Sequence, residues 1–194
     1  MLVQLKPAAL LVAALTLLTG IAYPLFVTAL ARLLFPHRAE GGLVVRDGRV
    51  VGSERVGQPF HSPGYFWGRP SATAAHPYDA GASAGSNLAP TNPALAEAVG
   101  RRVAALRATD PQNPAPVPVD LVTASASGLD PDISPAAARW QAPRVARERG
   151  VPRGDVERLI DAHVEPPTFG FLGEARVNLL RLNLALDEAA PGAR

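Results

Sequence analysis

Apolar and polar positions alternate on very different scales along this chain. Residues 7–31, PAALLVAALTLLTGIAYPLFVTALA, form a run of 25 without a charged side chain. As a helix rising about 1.5 Å per residue, such a run reaches roughly 38 Å, enough to cross a hydrocarbon core of about 30 Å with some tilt. Lys6 stands before it, and Arg32, His37 and Arg38 after it. Beyond Pro36 the apolar residues recur at short periods. Residues 43–51, LVVRDGRVV, read as a β-hairpin whose Asp-Gly supplies a type I′ turn. Asn92-Pro93 reads as an N-cap and first helical position, followed by a stripe of Leu95, Val99, Val103 and Leu106. Residues 117–124 suggest an edge strand interrupted by Pro118. Ser134-Pro135 predicts a second helix that Pro143 kinks or splits and Gly150 ends. A third helix is expected over 153–164, with His163 as a satisfied packing residue, and a fourth over 175–188.

The pattern therefore predicts a single N-terminal transmembrane α-helix followed by a loop-rich α/β (α+β) domain; the side of the membrane on which that domain lies, extracytoplasmic or cytoplasmic, is left open by the pattern. Its parts are a short tail over 1–6, the span over 7–35, a soluble domain over 36–188 and a disordered tail over 189–194. Gly20 and Pro24 do not rule out the span, since transmembrane helices tolerate both. The competing reading is a cleaved signal peptide, with Lys6 as its charged region and Ala29-Leu30-Ala31 as a cleavage site. It would release a secreted periplasmic binding or serine-hydrolase module. The apolar run exceeds a usual signal core of about 7–15 residues, and its pattern continues through Leu33, Leu34 and Phe35. Counting Lys and Arg does not orient the span, because long domains translocate largely regardless of charge.

Composition narrows the chemistry. The 194 residues carry 19 basic and 17 acidic side chains, interleaved, which is not the footprint of a nucleic-acid binder. The absence of cysteine excludes disulfides, iron–sulfur clusters and thiolate zinc sites. There are 20 prolines and 17 glycines, and many punctuate residues 57–93. Phe60, Tyr65, Phe66, Trp67 and Tyr78 lie in that stretch, which can be ordered only if those rings are buried or held by a partner.

Motifs that carry catalysis are missing. Residues 81–85 fit G-x-S-x-G around Ser83, but that motif needs a strand before it and a helix after it, and a Pro-rich loop precedes it here. The four histidines show no H-E-x-x-H spacing. Asp130-Pro131-Asp132 lacks the glycine and the later glutamate of a calcium loop. Lys6 is the only lysine, which excludes a phosphate-binding G-x-x-x-x-G-K loop. Arg144, Arg147, Arg149, Arg153 and Arg158 read as helix-terminal cations and a solvated face. Physics alone reaches an anchored, non-catalytic, loop-rich domain that serves as a subunit of something else.

Several blocks together carry a resemblance: GYFWGRPSAT over 64–73, SAGSNL over 83–88, NPAL over 92–95, the stretch 117–141, and LNLALD over 182–187. These resemble the KdpC family, the small subunit of the bacterial high-affinity potassium-transporting P-type ATPase, along almost the whole chain. Ala84 departs from the family's usual glycine in SGGSN. The resemblance implies an accessory, non-catalytic subunit of an ATP-driven K+ uptake pump, single-pass in the cell inner membrane, with its domain on the outer face. Its partners would be the ion-path subunit, the ATP-hydrolysing subunit and the lipid bilayer, with no nucleic acid. It would support assembly and act as a catalytic chaperone that raises the ATP affinity of the hydrolysing subunit. No cofactor would be firmly bound; ATP is implied by the resemblance, and K+ is what the complex transports. Ser83, Gly85, Ser86 and Asn87 resemble the signature loop of ABC transporters, which touches nucleotide, and Gln141 is a further polar candidate. An outer domain cannot touch cytoplasmic ATP, so any effect on ATP would be indirect, through the anchor. Asp120, Asp130 and Asp132 are expected to raise local K+ at the ion entrance. No catalytic or metal-binding residue is expected.

Overall fold

The structure, a computed structural model, describes residues 2–190. The chain divides after Leu43 into two units. The first is dominated by one apolar helix, Leu5–Leu34, 30 residues long. It comprises α1 (Leu5–Leu17), a π-helical turn (Leu18–Ala22) and α2 (Tyr23–Leu34). The helix starts two positions before Pro7, which sits in the first turn, where its missing N–H is not needed. It stops at Leu34 because Pro36 disfavours helical backbone at Phe35, which leaves the helical region at φ −138° and ψ 56°. The widened turn immediately precedes Pro24, which lacks the N–H that would bond the Gly20 carbonyl. There Tyr23 N–H reaches back to Leu18 O, and the Thr19 hydroxyl donates to Leu15 O. None of the helix's side chains is buried within the chain. A short helix, α3 (Pro36–Ala39), follows.

The second unit opens with the expected hairpin, β1 (Leu43–Arg46) and β2 (Arg49–Ser53). Asp47 and Gly48 take φ values of 52° and 75°, the two left-handed residues of a type I′ turn. Helix α4 (Pro93–Thr109) begins where Asn92 accepts a hydrogen bond from Ala94 N–H. Of its apolar stripe, Leu106 is buried, while Val99 and Val103 are half-buried against the core.

The core lies between a three-stranded antiparallel sheet and helices α5 (Pro135–Arg149), α6 (Arg153–Ala162) and α7 (Leu179–Ala189). The strands are β3 (Asp132–Ile133), β4 (Val164–Glu165) and β5 (Arg176–Asn178), in spatial order β3-β5-β4. Val177 is the central residue, opposite Ile133 on one side and Val164 on the other. Phe66, Ala137, Val145, Ile160, Val177 and Leu182 are fully enclosed.

Three expectations are corrected. Residues 117–124 form no strand; Val119–Leu121 is a 3-10 turn that closes through Leu121 N–H on Pro118 O, and Pro118 itself has no N–H for a ladder. Pro143 does not split α5: the helix runs on to Gly150, which caps it at φ 66°. Buried Ala142 and Val145 flank the proline, and the Asn113 amide donates to the Trp140 carbonyl in the preceding turn. The last segment is not all helix; residues 176–178 are the middle strand, and Asn178 then caps α7 by accepting from Arg181 N–H. The third helix stands where expected, over Arg153–Ala162, and His163 caps it with Nδ1 on Leu159 O. Of the disordered tail expected over 189–194, residues 191–194 lie outside the described residues, and Ala189 still belongs to α7.

Candidate functional site

The Pro- and Gly-rich stretch is ordered by side chains borrowed from distant helices. Asn183 on α7 accepts from Phe66 N–H at 2.9 Å and donates to Phe66 O at 3.0 Å. Gln141 on α5 does the same to the next residue, accepting from Trp67 N–H at 2.8 Å and donating to Trp67 O at 3.0 Å. Two side-chain amides thus play the part of a neighbouring strand. Arg144 stacks on Trp67 and donates to the carbonyls of Pro63 and Tyr65. Arg149 lies over the Tyr65 ring and donates to Gly64 O, while the Tyr65 hydroxyl donates to Asp187. Arg144 and Arg149 are therefore buried tethers rather than members of a solvated face.

This arrangement corrects the reading of Gln141. It is fully buried, and its carbonyl oxygen is taken by Trp67 N–H and Arg144. It has no surface to offer a nucleotide. The serine-rich turn lies elsewhere. Ser83 Oγ and Ala84 N–H both donate to Ser127 O at 3.0 Å, so residues 83–85 run beside 126–128. Gly85 is required there, since a Cβ would stand 2.8 Å from Ala126 O. Ser83, Ser86 and Asn87 are exposed, and Asn87 is left-handed at φ 51°. The hydrolase reading of Ser83 is overturned by the same geometry. The serine follows a one-turn 3-10 helix (Ala80–Ala82) instead of a strand, the next helix begins only at Pro93, and its hydroxyl proton goes to a backbone carbonyl.

The three aspartates expected to act together do meet. Asp120, Asp130 and Asp132 line one cleft of about 270 Å³, joined by Glu174 and by Arg69 and Arg176. The 3-10 turn carries Asp120, whose carboxylate accepts from Ser134 N–H at 2.8 Å. Asp130 accepts from Arg69 at 3.0 Å and from Asp132 N–H at 3.1 Å. Asp132, on β3, accepts from the Asn178 amide at 2.9 Å and lies 3.3 Å from Arg176 Nε. Burial raises the Asp132 pKa above the ordinary carboxylate value; the Asn178 hydrogen bond opposes this and Asp130 reinforces it. Four carboxylates against two guanidiniums leave the cleft electronegative, so it favours cations.

Sequence reasoning missed Arg69, Glu174, Arg176 and Asn183. Asn183 carried a readable signal: an amide set between Leu182 and Leu184 on the apolar side of a helix must find a buried partner. The two arginines carried none, because their carboxylates come from other parts of the chain. Among the described residues, no group of three or more His, Cys, Asp or Glu side chains is arranged to hold a metal ion.

Comparison with known proteins identifies the family. The family model described as K+-transporting ATPase, c chain, matches residues 5–188. The potassium-transporting ATPase KdpC subunit of Variovorax paradoxus (strain S110) is 62% identical over 186 residues, 96% of each chain. That of Polaromonas naphthalenivorans (strain CJ2) is 63% identical, over 96% of this chain and 95% of the relative. That of Sorangium cellulosum (strain So ce56) is 63% identical, over 97% of this chain and 100% of the relative. A match of this extent runs through the apolar helix, the amide-clamped loop and the carboxylate cleft alike: the chain belongs to the KdpC family, the c chain of the K+-transporting ATPase.

Proposed function

We propose that the chain is an accessory, non-catalytic subunit of an ATP-driven K+ uptake pump, anchored in the cell inner membrane by Leu5–Leu34 with its domain on the outer face. The observation that carries this reading is that anchor: a 30-residue helix, uncharged between Lys6 and Arg32, none of whose side chains is buried. Such a surface requires lipid or the spans of partner subunits. One helix cannot enclose an ion path, so transport belongs to the ion-path subunit and hydrolysis to the ATP-hydrolysing subunit.

In this reading the chain supports assembly and raises the ATP affinity of the hydrolysing subunit as a catalytic chaperone. With the domain outside, the turn at residues 83–87 does not meet cytoplasmic ATP. The effect travels through the anchor, and linkage makes it reciprocal: nucleotide on the hydrolysing subunit tightens the hold on this chain. The cleft of Asp120, Asp130 and Asp132 covers the ion entrance and concentrates K+ there.

The test is reconstitution of the pump in detergent with and without the full chain. Omission is expected to raise the KM for ATP of K+-stimulated hydrolysis; an unchanged KM overturns the chaperone role. The chain has no cysteine, so a single cysteine placed at exposed Ala104 reports sidedness. Labelling in intact spheroplasts by a membrane-impermeant maleimide is expected, and labelling only after lysis overturns the outer placement. Mass analysis that finds a mature N-terminus near Arg32 overturns the anchor.

A further inference from the structure

Three large apolar side chains close together in sequence stand in solvent: Phe169, Phe171 and Leu172 are 83%, 76% and 51% exposed. They sit on a tight hairpin. Thr168 and Leu172 exchange both backbone hydrogen bonds at 2.9 Å, and Gly170 N–H bonds Pro167 O at 2.9 Å. Phe169 is held left-handed at φ 56°, a conformation that disfavours a bulky side chain. Gly170 and Gly173 are also left-handed, and Pro166-Pro167 stiffens the entry. The rings are thus presented on a closed turn, and little conformational freedom remains to be lost when they are covered. Phenylalanine rings are enriched at the buried centres of protein interfaces relative to the rest of the surface.

Charge selects the occupant. Residues 166–173 carry no Lys or Arg. The chain then runs straight from the tip into the electronegative cleft, which Glu174 and Arg176 help to line alongside Asp120, Asp130 and Asp132. A membrane-surface wedge pairs its aromatics with Lys and Arg against anionic headgroups, which this neighbourhood would repel. A second copy of the chain would set one carboxylate cluster beside another. A protein surface with an apolar socket and a flanking Lys or Arg satisfies both features.

We infer that residues 168–174 dock onto another subunit of the same ATPase, the Phe169 and Phe171 rings filling an apolar socket and a cation of that subunit pairing with the exposed Glu174, which leaves Asp120, Asp130 and Asp132 open to K+. This rests on the reading of the chain as a pump subunit. The test uses the full chain co-expressed with the other subunits, with a benzophenone amino acid at Phe171 and, as control, at Ala104. Illumination in membranes followed by mass spectrometry is expected to give an adduct with another subunit, at least tenfold above the control. Glu174→Lys, introduced beside the Phe171 probe, is expected to lower that yield at least fivefold without changing the thermal midpoint. Adducts on lipid or on a second copy, or no adduct although the chain co-purifies with the pump, overturn the docking surface alone. An undiminished yield in Glu174→Lys overturns the cation. Failure of the unaltered chain to co-purify overturns the docking surface together with the subunit reading.

Discussion

The guanidinium of Arg144 lies 3.9 Å above the ring of Trp67. From that position it also reaches Tyr65 O at 3.1 Å and Gln141 Oε1 at 2.8 Å, with only 1% of the residue exposed. A buried cation is costly unless its donors are used, and burial pushes this guanidinium's pKa down to about 10. Arg144 therefore joins α5 to the aromatic loop through stacking and hydrogen bonding together. Lysine supplies neither the plane nor the fork. Arg144→Lys is expected to cost about 2–4 kcal/mol, from the lost stack and unpaired buried carbonyls. Urea unfolding of the full chain in detergent checks this; a cost under about 1 kcal/mol would show that the loop is held by the two amides alone.

Tyr78 gives a pH signature. Its ring fits where Gly57 and Gly68 lack side chains, and its hydroxyl donates to Arg69 O at 2.6 Å. Burial pushes its pKa up to about 12; Asp130 adds to the rise and Arg69 opposes it. A phenol in the unfolded chain loses its proton near pH 10, so between about pH 10 and 12 the folded state holds a proton that the unfolded state has released. The contribution to stability is complete below pH 10 and is lost as pH rises through 12. Allowing for partial exposure, it amounts to about 1–2 kcal/mol. Tyr78→Phe is expected to flatten the alkaline slope of unfolding stability; an unchanged slope would place the titration elsewhere.

Gly128 is left-handed at φ +69°, and a Cβ there would stand 2.6 Å from Ala84 O. Gly128→Ala is expected to destabilise by about 1–3 kcal/mol and to open the 83–87 turn, seen as faster amide exchange at Ala84. Ala84 itself is not left-handed, so its side chain carries no backbone penalty. Ala84→Gly should change stability by no more than about 1 kcal/mol.

The electrostatic role proposed for the cleft predicts a salt-dependent phenotype. Asp130→Asn with Asp132→Asn, in the assembled pump, is expected to weaken apparent K+ affinity about two- to threefold at low ionic strength, and the difference should fade near 0.15 M salt. Equal affinities at low salt would end the idea. Arg69→Gln, which removes an opposing cation, should move affinity the other way.

How far the sequence could be read depended on the range of the interactions. Asn92-Pro93, Ser134-Pro135 and Asp47-Gly48 act within a few residues, and each produced its helix start or turn where expected. The three aspartates of the cleft were also legible as a set, because they lie within 13 positions of one another. The order of the aromatic loop was not, since it depends on Gln141 and Asn183, 74 and 117 positions away from the residues they hold. Residues 176–178 looked helical because leucines follow them; pairing with Ile133 and Val164 overrode that local preference. Val119–Leu121 looked extended by composition, and the proline before it decided otherwise.

The widened turn at Leu18–Ala22 has a consequence for how the anchor meets its neighbours. The i→i+5 hydrogen bond from Tyr23 N–H to Leu18 O underwinds the helix slightly there. Leu18 and Ala22 keep near-α angles, so the second half lags a uniform helix by a few tens of degrees. Side chains before Leu18 and after Ala22 that a uniform helical wheel would align therefore point along different meridians, and the two halves of the anchor can address two different neighbouring helices.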